Sequence, residues 1–316
     1  MMPDRCTTLD IRAATVFAFL ALLSVLLLAG CTSAQEKHNG LFVSATFFPF
    51  YEAAKEIAGD KATITSIVPN GVEPHDYDPT SNDITSIGNA DVFIETGVGF
   101  GTLEQKLSNG LGSKTIVVNA SEGVGLILGG HDNSASATQA GSASTEVDPH
   151  FWLSPKRMII VADNIKAGLE RADPSNKAIY ETNAADFKTK LQALDSEYRS
   201  GLSHCKKDTI LTSHDAFGYL ASDYGFKQIF ISGLSPDAEP TPQQLAQLVD
   251  SAKNDNITII FFEDLVDPRI VQTIADEVGA KTMELSPLEG SKNQSDDYFS
   301  LQRKNLGNLR IAMECD

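Results

Sequence analysis

Hydrophobic residues fall in short clusters along most of the chain, separated by polar positions and turn residues. The exception is one long apolar run, Ala13 to Gly30. Leu41-Phe42-Val43-Ser44-Ala45 reads as a strand and Phe50 to Ala58 as a helix. Ala62 to Val68 reads as a strand, Ile84 to Gly88 as part of a helix, and Asp91 to Glu95 and Lys114 to Asn119 as two more strands. Strands alternating with helices predict a parallel sheet. The pair Ser154-Pro155 is a good helix start and predicts a helix over Pro155 to Arg171. Asp173-Pro174 interrupts, and Ser175 to Ser200 is a long helical pattern with Ile179, Phe187, Leu191, Leu194 and Tyr198 on its apolar side. Strands resume at Thr209–Leu211 and at Lys281–Leu285. The stretch 129–147, GGHDNSASATQAGSASTEV, has too few large apolar residues to bury a core and predicts a mobile surface loop.

The two halves repeat. A shift of 168 lays Val43-Ser44-Ala45-Thr46 on Leu211-Thr212-Ser213-His214, Tyr51 on Tyr219, and Phe93-Ile94-Glu95 on Phe261-Phe262-Glu263. Glu73-Pro74 and Glu239-Pro240 match at a shift of 166. The expected architecture is therefore α/β, with two similar lobes, each a mainly parallel sheet flanked by helices. Residues 41–172 form the N-terminal lobe, 173–204 a long rigid connecting helix, and 205–316 the C-terminal lobe. Two lobes on one connector leave a cleft, and in open parallel sheets ligands meet the loops at the carboxyl ends of strands.

Composition narrows the function. The chain has 316 residues, 42% hydrophobic and 21% charged, as a globular protein does. Its 25 basic and 42 acidic residues give a net charge of −17, which repels phosphates and argues against nucleic acid as a partner. The 18-residue run is at the lower edge of a membrane span. It ends in Leu28-Ala29-Gly30-Cys31, which resembles the lipobox of secreted lipoproteins. That resemblance implies a signal peptide over 1–30, lipid on Cys31, a polar tether over 31–40, and a body outside the cytoplasm anchored to the cell membrane. A plain N-terminal anchor helix is the alternative, and it leaves the body in the same place. With Cys6 in the leader and Cys31 lipidated, Cys205 and Cys315 remain. In an oxidising compartment two cysteines predict one disulfide, against two free buried thiols.

Six histidines are present. His38 in the tether, His131 in the Gly/Ser loop and His204 near a helix end read as solvated. His75 sits in a Pro- and Gly-stiffened loop (PNGVEPHDYDPT), His150 in DPHFWLSP, and His214 in LTSHDAFGYL. All three stand where a strand hands over to a loop or helix. One such histidine is more often a hydrogen-bonded structural residue, but three together suit Zn²⁺. A fourth ligand is sought in the loop after Lys281–Leu285, where Glu289 stands in SPLEG, with Glu284 and Glu263 as rivals. His75 to His150 and His214 to Glu289 are the same distance apart in sequence.

With these blocks in view, residues 41 to 315 resemble the cluster A-I metal-binding proteins of ABC importers for zinc and manganese. The resemblance rests on GVEPHDYDPTSNDI, DVFIETG, DPHFWLSP, LTSHDAFGYLASDYGF, GLSPDAEPTPQQL, IIFFEDL and LSPLEG. It implies a two-lobed binding protein whose histidine ligands are His75, His150 and His214. Many members place an Asp where Ser286 stands; another branch uses a Glu three residues on, which Glu289 matches, and water is the substitute. Three imidazoles and one carboxylate lean to Zn²⁺ over Mn²⁺. Asp76, Asp148, Asp215 and Glu263 can orient the imidazoles, since a bound His normally donates its other N–H; as turn or capping residues they need not. The resemblance implies capture and delivery to an ABC permease with its ATPase, no catalysis, and a monomer. An exported metal-dependent hydrolase is the main alternative, although HExxH, HxHxD, GxSxG and GxGxxG are all absent. A lipid-tethered adhesin is the other.

Overall fold

Short runs rich in β-branched and aromatic residues, each leading into a helix, build one parallel sheet in each half of the chain. The computed structural model describes residues 40–130, 146–237, 240–293 and 295–316. The first half contains β1 (Leu41–Ala45), α1 (Phe48–Ala58), β2 (Ala62–Ser66), α2 (Ser81–Asn89), β3 (Val92–Glu95), α3 (Gly101–Ser108) and β4 (Ile116–Asn119). Then follow α4 (Pro155–Ala172) and the 25-residue α5 (Lys177–Gly201). The second half contains β5 (Thr209–His214), α6 (Gly218–Tyr224), β6 (Lys227–Ser232), α7 (Pro242–Asn254), β7 (Ile259–Phe262), α8 (Arg269–Val278), β8 (Lys281–Glu284) and α9 (Tyr298–Ala312).

The repeat seen in the sequence holds in the sheets. Their strand orders are β2-β1-β3-β4 and β6-β5-β7-β8, the same order with each number raised by four. The register of the central pair is also preserved. Val43 pairs with Val92, and the residues 168 further on, Leu211 and Ile260, pair with each other. The outer pairs drift by a few residues because connecting loops differ in length: Leu41 pairs with Ala62, but Thr209 with Lys227. Every residue of β1 is buried, as in a parallel sheet covered on both faces.

The core does not divide at the lobe boundary. One hydrophobic cluster runs from Val43 and Phe93 through Phe187, Leu191 and Leu194 of α5 to Ile210, Phe261 and Leu309. A smaller cluster, with Leu211, Ile229, Ile260 and Ile274, fills the outer face of the second sheet beneath α7 and α8. Adjacent residues Ile210 and Leu211 therefore serve opposite faces, as strand geometry requires. The strut α5 packs along α1 and α4 on one side and α9 on the other. Its Tyr198 hydroxyl donates to the Gln302 carbonyl at 2.8 Å and to its Oε1 at 2.7 Å.

Several local expectations differ from the structure. Ile179 is 37% exposed, and Tyr180 takes its place on the buried side. The buried stripe is Tyr180, Ala184, Phe187, Leu191, Leu194 and Tyr198, and Ile179, eight residues before Phe187, falls off it; Asp173 accepts from Ser175 N–H in the 3-10 turn Pro174–Asn176 that precedes the helix. Ser154 precedes α4 without capping it; its hydroxyl donates to Asp223 Oδ2 at 2.7 Å. Helix α3 lacked a clear sequence signal, since only Leu103 and Leu107 of its eight residues are buried. Strand β5 extends through His214, so that residue ends the strand instead of following it. The leader 1–30, Cys31, the tether through Asn39 with His38, most of the Gly/Ser loop with His131, and Glu239 lie outside the described residues. The described ends of that loop are joined by a Leu128–Val147 bridge. No helix among the described residues is long and apolar enough to cross a membrane.

Cys205 and Cys315 are bonded across 110 residues. Flanking main-chain bonds, Lys207 N–H to Met313 O at 3.0 Å and Asp316 N–H to His204 O at 3.1 Å, extend the same junction. Non-reducing peptide mapping should recover these two cysteines joined, and Cys315→Ser should lower unfolding free energy by about 2–4 kcal/mol. Denaturant melts with unchanged midpoints would contradict that contribution.

Candidate metal centre

Four side chains from four separate segments meet between the sheets. The loop after β2 delivers His75. Pro69 accepts from Val72 N–H and Pro74 from Tyr77 N–H, giving two tight turns. The His75 backbone N–H donates to Glu73 Oε1 at 2.9 Å, which fixes the loop, and the ring stacks on Phe100 at 4.5 Å, which holds the imidazole. His150 follows the Leu128–Val147 bridge and leads into a 3-10 turn, Phe151–Leu153, ahead of α4. His214 is the last residue of β5; its carbonyl accepts from Thr212 Oγ1 at 2.8 Å and Gln228 Nε2 at 2.9 Å. Glu289 lies five residues beyond β8.

One ligating atom from each of the four lies within 4.8 Å of every other. Glu289 Oε1 is 3.3 Å from His75 Nε2, 3.3 Å from His150 Nε2 and 4.0 Å from His214 Nε2. The His150 and His214 Nε2 atoms are 3.3 Å apart. A tetrahedral zinc site with bonds of about 2.05 Å has ligand–ligand edges of about 3.3 Å, so three of these separations already match. The side chains of His150 and His214 are fully buried, Glu289 is 2% exposed and His75 8%.

The opposite ring nitrogens are engaged by carboxylates. His150 Nδ1 is 2.8 Å from Asp148 Oδ1, which also accepts from His150 N–H at 2.9 Å. His214 Nδ1 is 2.6 Å from Glu263 Oε1, and Ser213 Oγ donates to the same oxygen. These contacts assign the proton of each neutral ring to Nδ1 and turn the Nε2 lone pairs inward. Neutral Nε2 atoms facing one another and an ionised carboxylate repel unless a proton or a cation lies between them.

The acid–base balance reflects that crowding. Burial works against a charged His150, but Asp148 and Glu289 outweigh it and push its pKa up to about 10. His214 is also raised, burial being overcome chiefly by Glu263. His75 is lowered, burial prevailing over the nearby Glu289. Glu289 is pulled below the usual carboxylate range because His75 and its neighbours outweigh burial. Glu73 goes the other way: burial first, and then the charge of Glu289, push it up to about 9.

Of the four residues expected to orient imidazoles, Asp148 and Glu263 lie within hydrogen-bonding distance of a ring nitrogen. Asp76 is exposed and shares a hydrogen bond with Asp237 beside a cavity also lined by Glu73 and Asp267. Asp215 accepts Gly130 N–H at 2.7 Å and bonds neither ring. Glu284 turns to Lys304, and His204 is exposed beside Ser203. Ser286 does not join the four; its hydroxyl accepts Leu288 N–H at 3.2 Å. The equal sequence spacing has no topological basis, because His75 follows the edge strand β2 whereas His214 ends the inner strand β5. Phe100, Glu73 and Trp152 support the site without having been singled out for it. Glu73 and Trp152 lay inside quoted motifs, whereas Phe100 borders the helix that the pattern did not reveal.

A family profile described as "Zinc-uptake complex component A periplasmic" matches residues 43–312. The high-affinity zinc uptake system protein of Bacillus subtilis is 37% identical over 307 residues, 93% of this chain and 96% of its own length. The zinc-binding lipoprotein AdcA of Streptococcus pneumoniae is 37% identical over 297 residues, 92% of this chain but 59% of AdcA, so the chain spans about three fifths of that longer relative. Among solved structures, the laminin-binding protein of Streptococcus agalactiae, titled a bifunctional protein with adhesin and metal transporting activity, superposes with a TM-score of 0.76. It is 33% identical, with 87% of this chain and 99% of that one covered. Zn(II)-bound AdcA from Streptococcus pneumoniae superposes with a TM-score of 0.72 at 37% identity, covering 87% of this chain and 58% of AdcA.

Neighbouring carboxylates raise the pKa values of His150 and His214 and so favour their protonated forms. Stability contributed by His150 and His214 is fully present below about pH 6.5 and is lost as pH rises through their folded-state values. A bound cation reverses the preference, because it requires both Nε2 atoms free of protons. Calorimetry near pH 7.5 in two buffers of different ionisation heat should show net proton release on metal binding. The metal-induced rise in Tm should be larger at pH 8 than at pH 5.5; a rise independent of pH would contradict this electrostatic picture.

Proposed function

The chain belongs to the zinc-uptake complex component A family of binding proteins, and on that premise we propose that it captures Zn²⁺ outside the cytoplasm and hands it to an ABC permease with its ATPase. The convergence of three inward-facing imidazole nitrogens and one ionised carboxylate in a nearly dry space carries this reading. Neutral imidazole suits Zn²⁺, and a set with only one oxygen ligand favours it over Mn²⁺. His75, His150, His214 and Glu289 replace the ion's water; Asp148 and Glu263 accept hydrogen bonds from Nδ1–H and raise the basicity of Nε2. Four protein ligands leave no position for a reacting water, which argues against the hydrolase alternative. The likeness to a bifunctional streptococcal protein leaves adhesion as a second reading, but no group among the described residues favours it.

In this reading residues 1–30 are a signal peptide, Cys31 carries lipid, and 31–40 tether a monomer to the outer face of the cell membrane. Residues 41–172 and 205–316 are the two lobes, and 173–204 join them. Because one core runs through both lobes and α5, release requires local movement of the ligand loops more than wide hinge opening.

His75→Ala, His150→Ala and His214→Ala should each weaken Zn²⁺ binding by more than the roughly 10- to 100-fold that follows loss of a ligand's hydrogen-bond partner. Glu289→Ala should cost less than any of these and more than Ser286→Ala. Competition titration against a chromophoric chelator measures all five. An unchanged affinity in a histidine variant removes that residue from the site, and a larger loss in Ser286→Ala than in Glu289→Ala moves the fourth ligand.

A further inference from the structure

The chain contains a single tryptophan, and it connects two ligand loops. Trp152 stands two residues after His150 and is fully buried, with its ring 5.0 Å from Phe47 and 5.9 Å from Phe100. Its indole N–H donates to Pro287 O at 2.8 Å, two residues before Glu289. Between Pro287 and Glu289 lies Leu288, whose φ of 55° falls in the left-handed region that a branched side chain rarely adopts. Its side chain is fully buried, so the conformation is imposed by its surroundings.

The surroundings are a small hydrogen-bonded cradle. Leu288 N–H donates to Ser286 Oγ at 3.2 Å, Ser286 N–H donates to Asn305 Oδ1 at 2.9 Å, and Asn305 Nδ2 donates to Ser286 O at 2.7 Å. Asn305 belongs to α9 and is 1% exposed. The cradle thus anchors Ser286 to its own lobe, whereas Pro287 is fixed from the other lobe by Trp152. The backbone turn at Leu288 points the Glu289 carboxylate back toward the His75 and His150 Nε2 atoms, 3.3 Å from each.

We propose that Trp152 is a positioning residue for the fourth ligand. Through Pro287 it fixes Glu289 relative to His150 and decides whether the ion is held by four protein ligands or by three and a water. This rests on the metal-capture reading and deepens it: the identity of the fourth ligand is set by a neutral hydrogen bond across the lobes, not by the carboxylate's chemistry alone.

Trp152→Phe keeps an aromatic ring in the same packing and removes one N–H. Zn²⁺ affinity should fall about 10-fold, and the visible absorption of the Co²⁺-loaded protein should shift toward that of Glu289→Ala. The two changes should not add: Trp152→Phe in the Glu289→Ala background should leave affinity unchanged. A residue that only fills space would lower Tm in both backgrounds and leave the Co²⁺ spectrum as in the wild type, and that result overturns the proposal. Full additivity in the double variant also overturns it. Should Trp152→Phe not fold, Ser286→Ala, which removes the cradle's acceptor for Leu288 N–H, must show the same spectral direction and the same non-additivity. Wild-type protein with no intense, tetrahedral-type Co²⁺ spectrum would refute the metal reading itself, separately from the role of Trp152.

Discussion

Repulsion among like groups is the constraint on which the structure depends. Three imidazoles and a carboxylate are brought within 4.8 Å of one another in a space that water barely reaches. Burying such a set costs free energy unless protons or a cation compensate it. Asp148 and Glu289 favour a proton on His150, which is one way to compensate the set. A divalent ion is the other, and the two carboxylates behind the rings are placed so that the rings need not turn when proton gives way to metal.

Such a set can be held together only by a frame that resists the repulsion. The frame is built from duplicated parallel sheets whose carboxyl ends face the same space, and from a core that passes through α5 without a break. Cross-lobe bonds reinforce it near the site. Tyr219 on α6 donates to Asp148 O at 2.7 Å and accepts Ile127 N–H at 3.2 Å. Asp223, also on α6, accepts from Ser154 Oγ at 2.7 Å and Arg157 Nε at 2.7 Å, and its pKa is lowered despite burial by these contacts. The segment carrying His150 is therefore fastened to the helix that follows His214, and the separation of those two ligands is a property of the fold.

Much of this was legible in the sequence, for identifiable reasons. Strand–helix alternation revealed the first sheet and the repeat implied a second, and the observed Val43–Val92 and Leu211–Ile260 pairs are related by the same 168-residue shift. The three histidines stood out because each lies in a quoted block where a strand-like run hands over to a loop or helix, bracketed by stiff or bulky neighbours. Asp148 could be suspected from its place two residues before His150. Glu263 reaches His214 across 49 residues, a contact set by sheet order that no local pattern encodes. Asp76 and Asp215 were equally plausible by adjacency, but their side chains turn to Asp237 and to Gly130 N–H. Ile179 was misplaced by counting: it stands eight residues before Phe187, off the stripe that a 3.6-residue repeat buries, and Tyr180 lies on that stripe instead. The left-handed backbone at Leu288 was also invisible, because leucine gives no sign of it.

Anomalous X-ray diffraction at the zinc edge, on crystals of protein purified without added metal and then supplied with one equivalent of Zn²⁺, tests the central claim most directly. The account predicts one dominant peak about 2.0–2.2 Å from the Nε2 atoms of His75, His150 and His214 and from a carboxylate oxygen of Glu289. A peak elsewhere on the chain, or none between the sheets, would contradict it.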